Sequence, residues 1–195
     1  MNHAINICLI PGSALYNICK KLNVLDTTSK YNVNSREFIP HATLGMKTLS
    51  DEQIQNMFHE LTELNLNKQN TKTIGYYARE VPPSWLWTWI NIEKTNELKE
   101  LQKLVLWVSK KYDSKERSPE TYAIDDFYEK NEILFFTEDE YLKRDGLHIT
   151  LWKQDIQNEY KKTDMPVETE FSKLVVGKIW NYWSVREILF EIPLN

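Results

Sequence analysis

Two cysteines, five glycines and no long apolar run are what this 195-residue sequence has little of. Cys8 and Cys19 are too few for a disulfide framework and their spacing matches no zinc site, so a reducing, cytoplasmic setting is expected. No stretch of about 18 consecutive apolar residues exists, which excludes a transmembrane helix and makes a membrane partner unexpected. The apolar segment near the start has no Lys or Arg ahead of it, so it reads as a first strand and not as a signal peptide. Scarce glycine, with seven prolines, rules out collagenous or disordered character. Positive charge is also short. The 24 Lys and Arg against 28 Asp and Glu leave a net charge of -4, the wrong sign for gripping a long nucleic acid through its phosphates, although a local basic pocket stays open. What the chain has in quantity is aromatic: 7 Trp, 10 Tyr and 7 Phe, enough for a packed core, a base-stacking surface, or both.

The length suits one domain, or two small lobes sharing a core. A strand over Ala4 to Ile10 ends at Pro11 and Gly12, and Ser13 opens a helix with Leu15, Ile18, Cys19 and Leu22 on one face. A polar loop from Asp26 to Arg36 leads into the extended run Phe38 to Met46. Ser50 with Gln53 forms a capping-box pattern before a helix bearing Ile54, Met57, Phe58, Leu61 and Leu64. Strands are expected over Lys72 to Ala78 and Trp85 to Lys94, the alternating Trp85, Trp87 and Trp89 filling the interior. Thr95 or Asn96 caps a third helix carrying Leu98, Leu101, Leu104, Val105, Val108 and Tyr112. From about 113 to 144 the pattern weakens into an insertion or lid, with helical tendency from Phe127 to Phe136. An extended run Gly146 to Lys153, a connector from Gln154 to Glu170, and strands over Phe171 to Trp180 and Ser184 to Leu194 complete the chain.

This order repeats. Each half reads strand, helix, H-x-T-L, then a later strand with glycine, Gly75 or Gly177, lying 34 and 29 residues beyond His41 and His148. The expected fold class is therefore α+β: two pseudo-symmetric lobes, about 1–80 and 81–195, each a small mainly antiparallel sheet flanked by helices, around a central groove. With 14 Thr and 21 Leu in the chain, a given His heads H-x-T-L by chance with probability of about 0.008, so two such motifs among four His argue against coincidence.

In a strand each motif His and its Thr share one face, while Ala42, Leu44, Ile149 and Leu151 turn to the core. Two facing imidazoles with pKa values near neutrality can act as base and acid, and two hydroxyls can donate to non-bridging phosphoryl oxygens. These are the parts of a phosphodiester site that requires neither metal nor cofactor. A zinc reading would leave the threonines unexplained. His3 and His59 lack such context and suit a chain terminus and a helix face.

The paired motifs, PHATLG at Pro40 to Gly45 and LHITLW at Leu147 to Trp152, resemble those of the 2H phosphoesterases, a superfamily that includes LigT-like RNA ligases and cyclic nucleotide phosphodiesterases. The resemblance implies that His41 and His148 are the catalytic pair and that Thr43 and Thr150 bind the substrate phosphate. It adds Lys153, five places after the second motif His, as a further phosphate ligand; the equivalent place after the first is Met46, with Lys47 next. Tyr76, Trp180 and Trp183, near the equivalent strands after each motif, are base-stacking candidates. The implied activity is metal-independent cleavage of a 2',3'-cyclic phosphate or a 2',5'-phosphodiester, with a small nucleotide or RNA end as partner. The alternative is a non-catalytic nucleotide or RNA-end binding module, which would have no need of two titratable imidazoles.

Overall fold

The computed structural model describes residues 2–24, 39–81, 85–112, 138–143, 146–155, 168–179 and 185–195. Within these segments side chains are described except at 2, 20–24, 76–81, 85–87, 138–140, 152–155 and 186. The first half contributes β1 (Asn2–Pro11), α1 (Ser13–Val24), β2 (Ala42–Ser50), α2 (Asp51–Glu63) and β3 (Gln69–Val81). The second contributes β4 (Trp85–Ile92), α3 (Asn96–Lys110), the short α4 (Glu138–Lys143), β5 (Leu147–Asp155), β6 (Glu168–Ile179) and β7 (Val185–Pro193).

Local chemistry sets several of these bounds. Ser50 Oγ accepts from the Gln53 backbone N–H at 3.3 Å and the Gln53 side chain accepts from the Ser50 N–H at 2.8 Å, the capping box expected there, worth about 1 kcal/mol. Of the two possible caps for α3, Thr95 serves, its hydroxyl accepting from the Leu98 N–H at 3.2 Å. Leu15 and Cys19 of α1, Ile54, Met57 and Leu61 of α2, and Leu98, Leu101, Val105 and Val108 of α3 enter one core with Ile5, Ile7 and Leu9 of β1 and Ile90 and Ile92 of β4.

The fold is α+β, with seven strands in one sheet of order β1-β2-β5-β4-β3-β6-β7, every pairing antiparallel. An additional β1–β6 pairing closes the order on itself. The connections are reciprocal. In each half the first strand pairs with the motif strand, β1 with β2 and β4 with β5. The third strand then crosses to the other half: β3 pairs with β4, and β6 pairs with β1. The two motif strands touch at one register position, Ala42 opposite Ile149. Beyond it β2 and β5 diverge, and α3 packs on β2 with the buried Gln102 donating to the Leu44 carbonyl at 3.1 Å.

Some expectations shift. The extended run over 38–46 becomes strand only at Ala42 but continues to Ser50, directly into α2. The connector from Gln154 to Glu170 is shorter, because exposed Glu168 and Glu170 alternate with buried Thr169 and Phe171 and already belong to β6. Trp89 is half-buried and not in the core. The helical tendency over 127–136, the loop over 26–36 and the side chains of Trp85 and Trp87 lie outside the described residues. What is described of the expected insertion is α4, anchored where the Lys94 ammonium donates to the Tyr141 and Leu142 carbonyls, each at 3.3 Å. Among the described residues no helix is long and apolar enough to cross a membrane.

Candidate active site

Register alone brings the two motifs together. Ala42 and Ile149 stand opposite each other, both fully buried in the core, so their neighbours project to the other face of the sheet. Those neighbours are His41 and Thr43 on one side, His148 and Thr150 on the other. The flanking strands agree: Cys8 of β1 stands opposite Thr43, Trp89 of β4 opposite Thr150, and Asn91 of β4 opposite His148.

Both motif strands are also irregular at the same motif position. Cys8 pairs with Thr43 but Ile7 with Gly45, so Leu44 is the extra residue of a bulge; Trp89 pairs with Thr150 but Thr88 with Trp152, so Leu151 is its counterpart. The leucine that closes each H-x-T-L is thus a buried bulge residue, at 0% and 2% exposure. Bulges bend a strand and re-aim its side chains, here just after each threonine.

The surroundings of the two histidines differ. His41 is buried, with Nδ1 2.7 Å from the Ile39 carbonyl oxygen and Nε2 3.2 Å from the Asn6 side-chain nitrogen, which also donates to Thr43 Oγ1 at 2.9 Å. Burial pushes the His41 pKa below its ordinary value, and the bond to the Ile39 carbonyl opposes that shift. His148 is only partly buried, and the Trp89 ring lies beside it with centroids 6.2 Å apart and planes at 58°. Next to His41 the same face is apolar: Cys8, Val175 and Val185 are fully buried, with Ile10, Ile39 and Ile188 partly buried against them. Burial pushes the Cys8 thiol far up in pKa, so it is no nucleophile at neutral pH.

Of the residues expected in the site, His41, Thr43, His148 and Thr150 converge on one face. Lys153 lies on β5 opposite Trp87, and Tyr76 on β3 opposite Ile90, but their side chains lie outside the described residues, as do Trp180 and Trp183 altogether. Met46, in the place equivalent to Lys153, is buried in a cluster with Ala4, Leu106, Tyr141 and Ile179. His3 is no frayed terminus: it sits in β1 and its Nε2 is 2.9 Å from Asp51 at the start of α2. His59 is exposed on α2. No group of three His, Cys, Asp or Glu that could hold a metal ion occurs among the described residues. Sequence reasoning missed Asn6. Its signal was the triplet Ile-Asn-Ile, present at 5–7 and again at 90–92, a polar residue set between two isoleucines in the first strand of each half.

No family model matches the sequence, and no curated protein is similar to it at the sequence level. Solved structures do match, over the full length. LigT of E. coli complexed with 3'-AMP superposes with a TM-score of 0.59 at 10% identity, covering 100% of this chain and 99% of that one. A protein crystallised as a phosphoesterase gives 0.56 at 10% identity over 100% and 99%, and TT0787 of Thermus thermophilus gives 0.56 at 10% over 98% and 97%. The chain therefore has the LigT-like fold, with an H-x-T-L strand from each half meeting at the site.

Proposed function

We propose that the protein is a 2H phosphoesterase that opens a 2',3'-cyclic phosphate or cuts a 2',5'-phosphodiester in a small nucleotide or RNA end, without a metal ion. The observation that carries this reading is the pairing of Ala42 with Ile149, which places both His–Thr pairs on one face. The LigT-like fold, shared with a protein crystallised as a phosphoesterase and with LigT complexed with 3'-AMP, supports the same class. In the reaction, one histidine removes a proton from the attacking water or hydroxyl as its oxygen bonds to phosphorus. The other delivers a proton to the ribose oxygen as its bond to phosphorus breaks. Thr43 and Thr150 donate to the non-bridging oxygens, holding the phosphoryl group in line and stabilising the charge that builds there. The partly buried Ile10, Ile39 and Ile188, backed by the buried Cys8, Val175 and Val185, offer apolar area that suits a nucleobase beside the His41 side of the groove. A non-catalytic binder would have no need of two titratable imidazoles, and their presence beside both threonines favours turnover.

The test is to incubate purified protein with 2',3'-cyclic mononucleotides and with 2',5'-oligoadenylate, with and without EDTA. Conversion of at least one substrate, insensitive to EDTA, is expected. No conversion of any, or conversion that EDTA abolishes, contradicts the assignment.

A further inference from the structure

We propose that Asn6 is the positioning residue of the first motif: its carboxamide nitrogen fixes His41 as the general base, with the lone pair on Nε2, and directs the Thr43 hydroxyl hydrogen toward the substrate phosphate. This rests on the phosphodiesterase reading above and adds to it the direction of proton transfer, His148 being left as the acid.

Hydrogen-bonding capacity leads there step by step. The Ile39 carbonyl oxygen can only accept, so the Nδ1 that lies 2.7 Å from it carries a proton. An amide nitrogen can only donate, so the Nε2 that faces Asn6 Nδ2 at 3.2 Å holds a lone pair. His41 is therefore neutral in the one tautomer that leaves Nε2 basic. The second hydrogen of the same Nδ2 goes to Thr43 Oγ1 at 2.9 Å. Having accepted there, Thr43 keeps its single hydrogen for a phosphoryl oxygen. Asn6 is fully buried, so water does not compete for these bonds.

The orientation of the amide follows from the same bookkeeping. Turned the other way, Oδ1 would face Nε2 and require an imidazolium. Among the described residues, those that register and contact place on this face beside His41 are Asn6 and Cys8 from β1, Thr43 from β2, His148 and Thr150 from β5, Val175 from β6 and Val185 from β7, and this set holds no carboxylate to balance a buried cation. After His41 has taken the substrate proton, the situation reverses. Nε2–H and the amide N–H then oppose each other, and a half-turn of the carboxamide brings Oδ1 round to accept from Nε2. Oδ1 is buried and has no hydrogen-bond partner among the described residues, so the turn gives up the Nδ2 bond to Thr43 and supplies that oxygen with a donor in exchange. The 3.2 Å contact is the longer of the two Asn6 bonds, the one an incoming hydroxyl displaces.

The experiment reads the imidazole directly. Nitrogen-15 spectra of the labelled protein across pH, for wild type, Asn6→Asp and Asn6→Ala, report the tautomer and titration of His41 with no substrate present. In wild type at neutral pH, Nδ1 is expected protonated and Nε2 bare. Asn6→Asp, nearly isosteric, is expected to raise the His41 pKa by about one unit or more, since a carboxylate favours the imidazolium. The acid limb of kcat/KM should move up with it. Asn6→Ala is expected to lower kcat on the order of 10- to 100-fold with little change in KM. A wild-type His41 protonated on Nε2, or an Asn6→Asp variant that folds yet leaves the His41 titration unmoved, overturns the proposal. A protein that turns over no phosphodiester while showing the expected tautomer sinks the enzymatic reading and not the role of Asn6 in fixing the imidazole.

Discussion

The two H-x-T-L motifs share three of four residues and the same bulge, yet the protein gives them different surroundings. His41 is closed in, with a carbonyl on one ring nitrogen and a buried amide on the other. His148 is partly open, next to the Trp89 ring and across from Asn91. The contrast teaches that two copies of one motif need not be chemically equal: in the proposed mechanism the closed-in histidine, its pKa lowered by burial, takes the role of base and the more open one that of acid.

The largest effects should come from the histidines. Replacing either with alanine is expected to lower kcat/KM by about 10²- to 10⁴-fold in a cyclic-phosphate assay, and a variant with full activity would remove that residue from the mechanism. The threonines come next. Thr43→Val and Thr150→Val each remove one donor to a phosphoryl oxygen, with an expected loss of about 10- to 100-fold; a far larger loss at one of them would show that the two clamps are unequal. The pH profile sharpens the histidine contrast itself. The base must be neutral to work, and burial lowers the His41 pKa, so activity should hold as pH falls below the ordinary histidine value of about 6.5 and decline only further into acid. An acid limb lying above that value would assign the base to the other histidine. A smaller effect, on stability, probes the scaffold. A Cβ at Gly177 would lie 2.4 Å from Val185 Cγ1, so Gly177→Ala must displace β7 and should cost about 1–3 kcal/mol, read as a fall of several degrees in Tm. At Gly45 the nearest atom is the mobile end of Leu106, at 2.9 Å, and the same substitution should cost less.

Much of the architecture was legible in the sequence because it is written locally. The Ser50–Gln53 box, the Thr95 cap and the helical stripes of α2 and α3 depend on residues within a few positions of each other. The exchange of third strands between the halves was not legible, since pairing of β3 with β4 and of β6 with β1 is set by contacts distant in sequence. His41, Thr43, His148 and Thr150 could be singled out as candidates because their recurrence raised an ordinary four-residue pattern above chance. Asn6 was missed although Ile-Asn-Ile recurs at 90–92, because its role depends on His41, 35 residues away, and only the fold lays the two together. Trp89 was expected inside because alternation along β4 does not say which face the core takes: Ile90 and Ile92 hold it, and Trp89 stands opposite Thr150 on the other face.

The central claim is that two motifs from opposite halves form one site. A double-variant cycle tests it most directly: kcat/KM for wild type, His41→Ala, His148→Ala and the double variant, measured on one cyclic-phosphate substrate. Groups that act as a unit are non-additive, so the double variant should be about as slow as the slower single one. Losses that multiply in full, or a single variant that retains the wild-type rate, would show that the two histidines do not serve the same reaction.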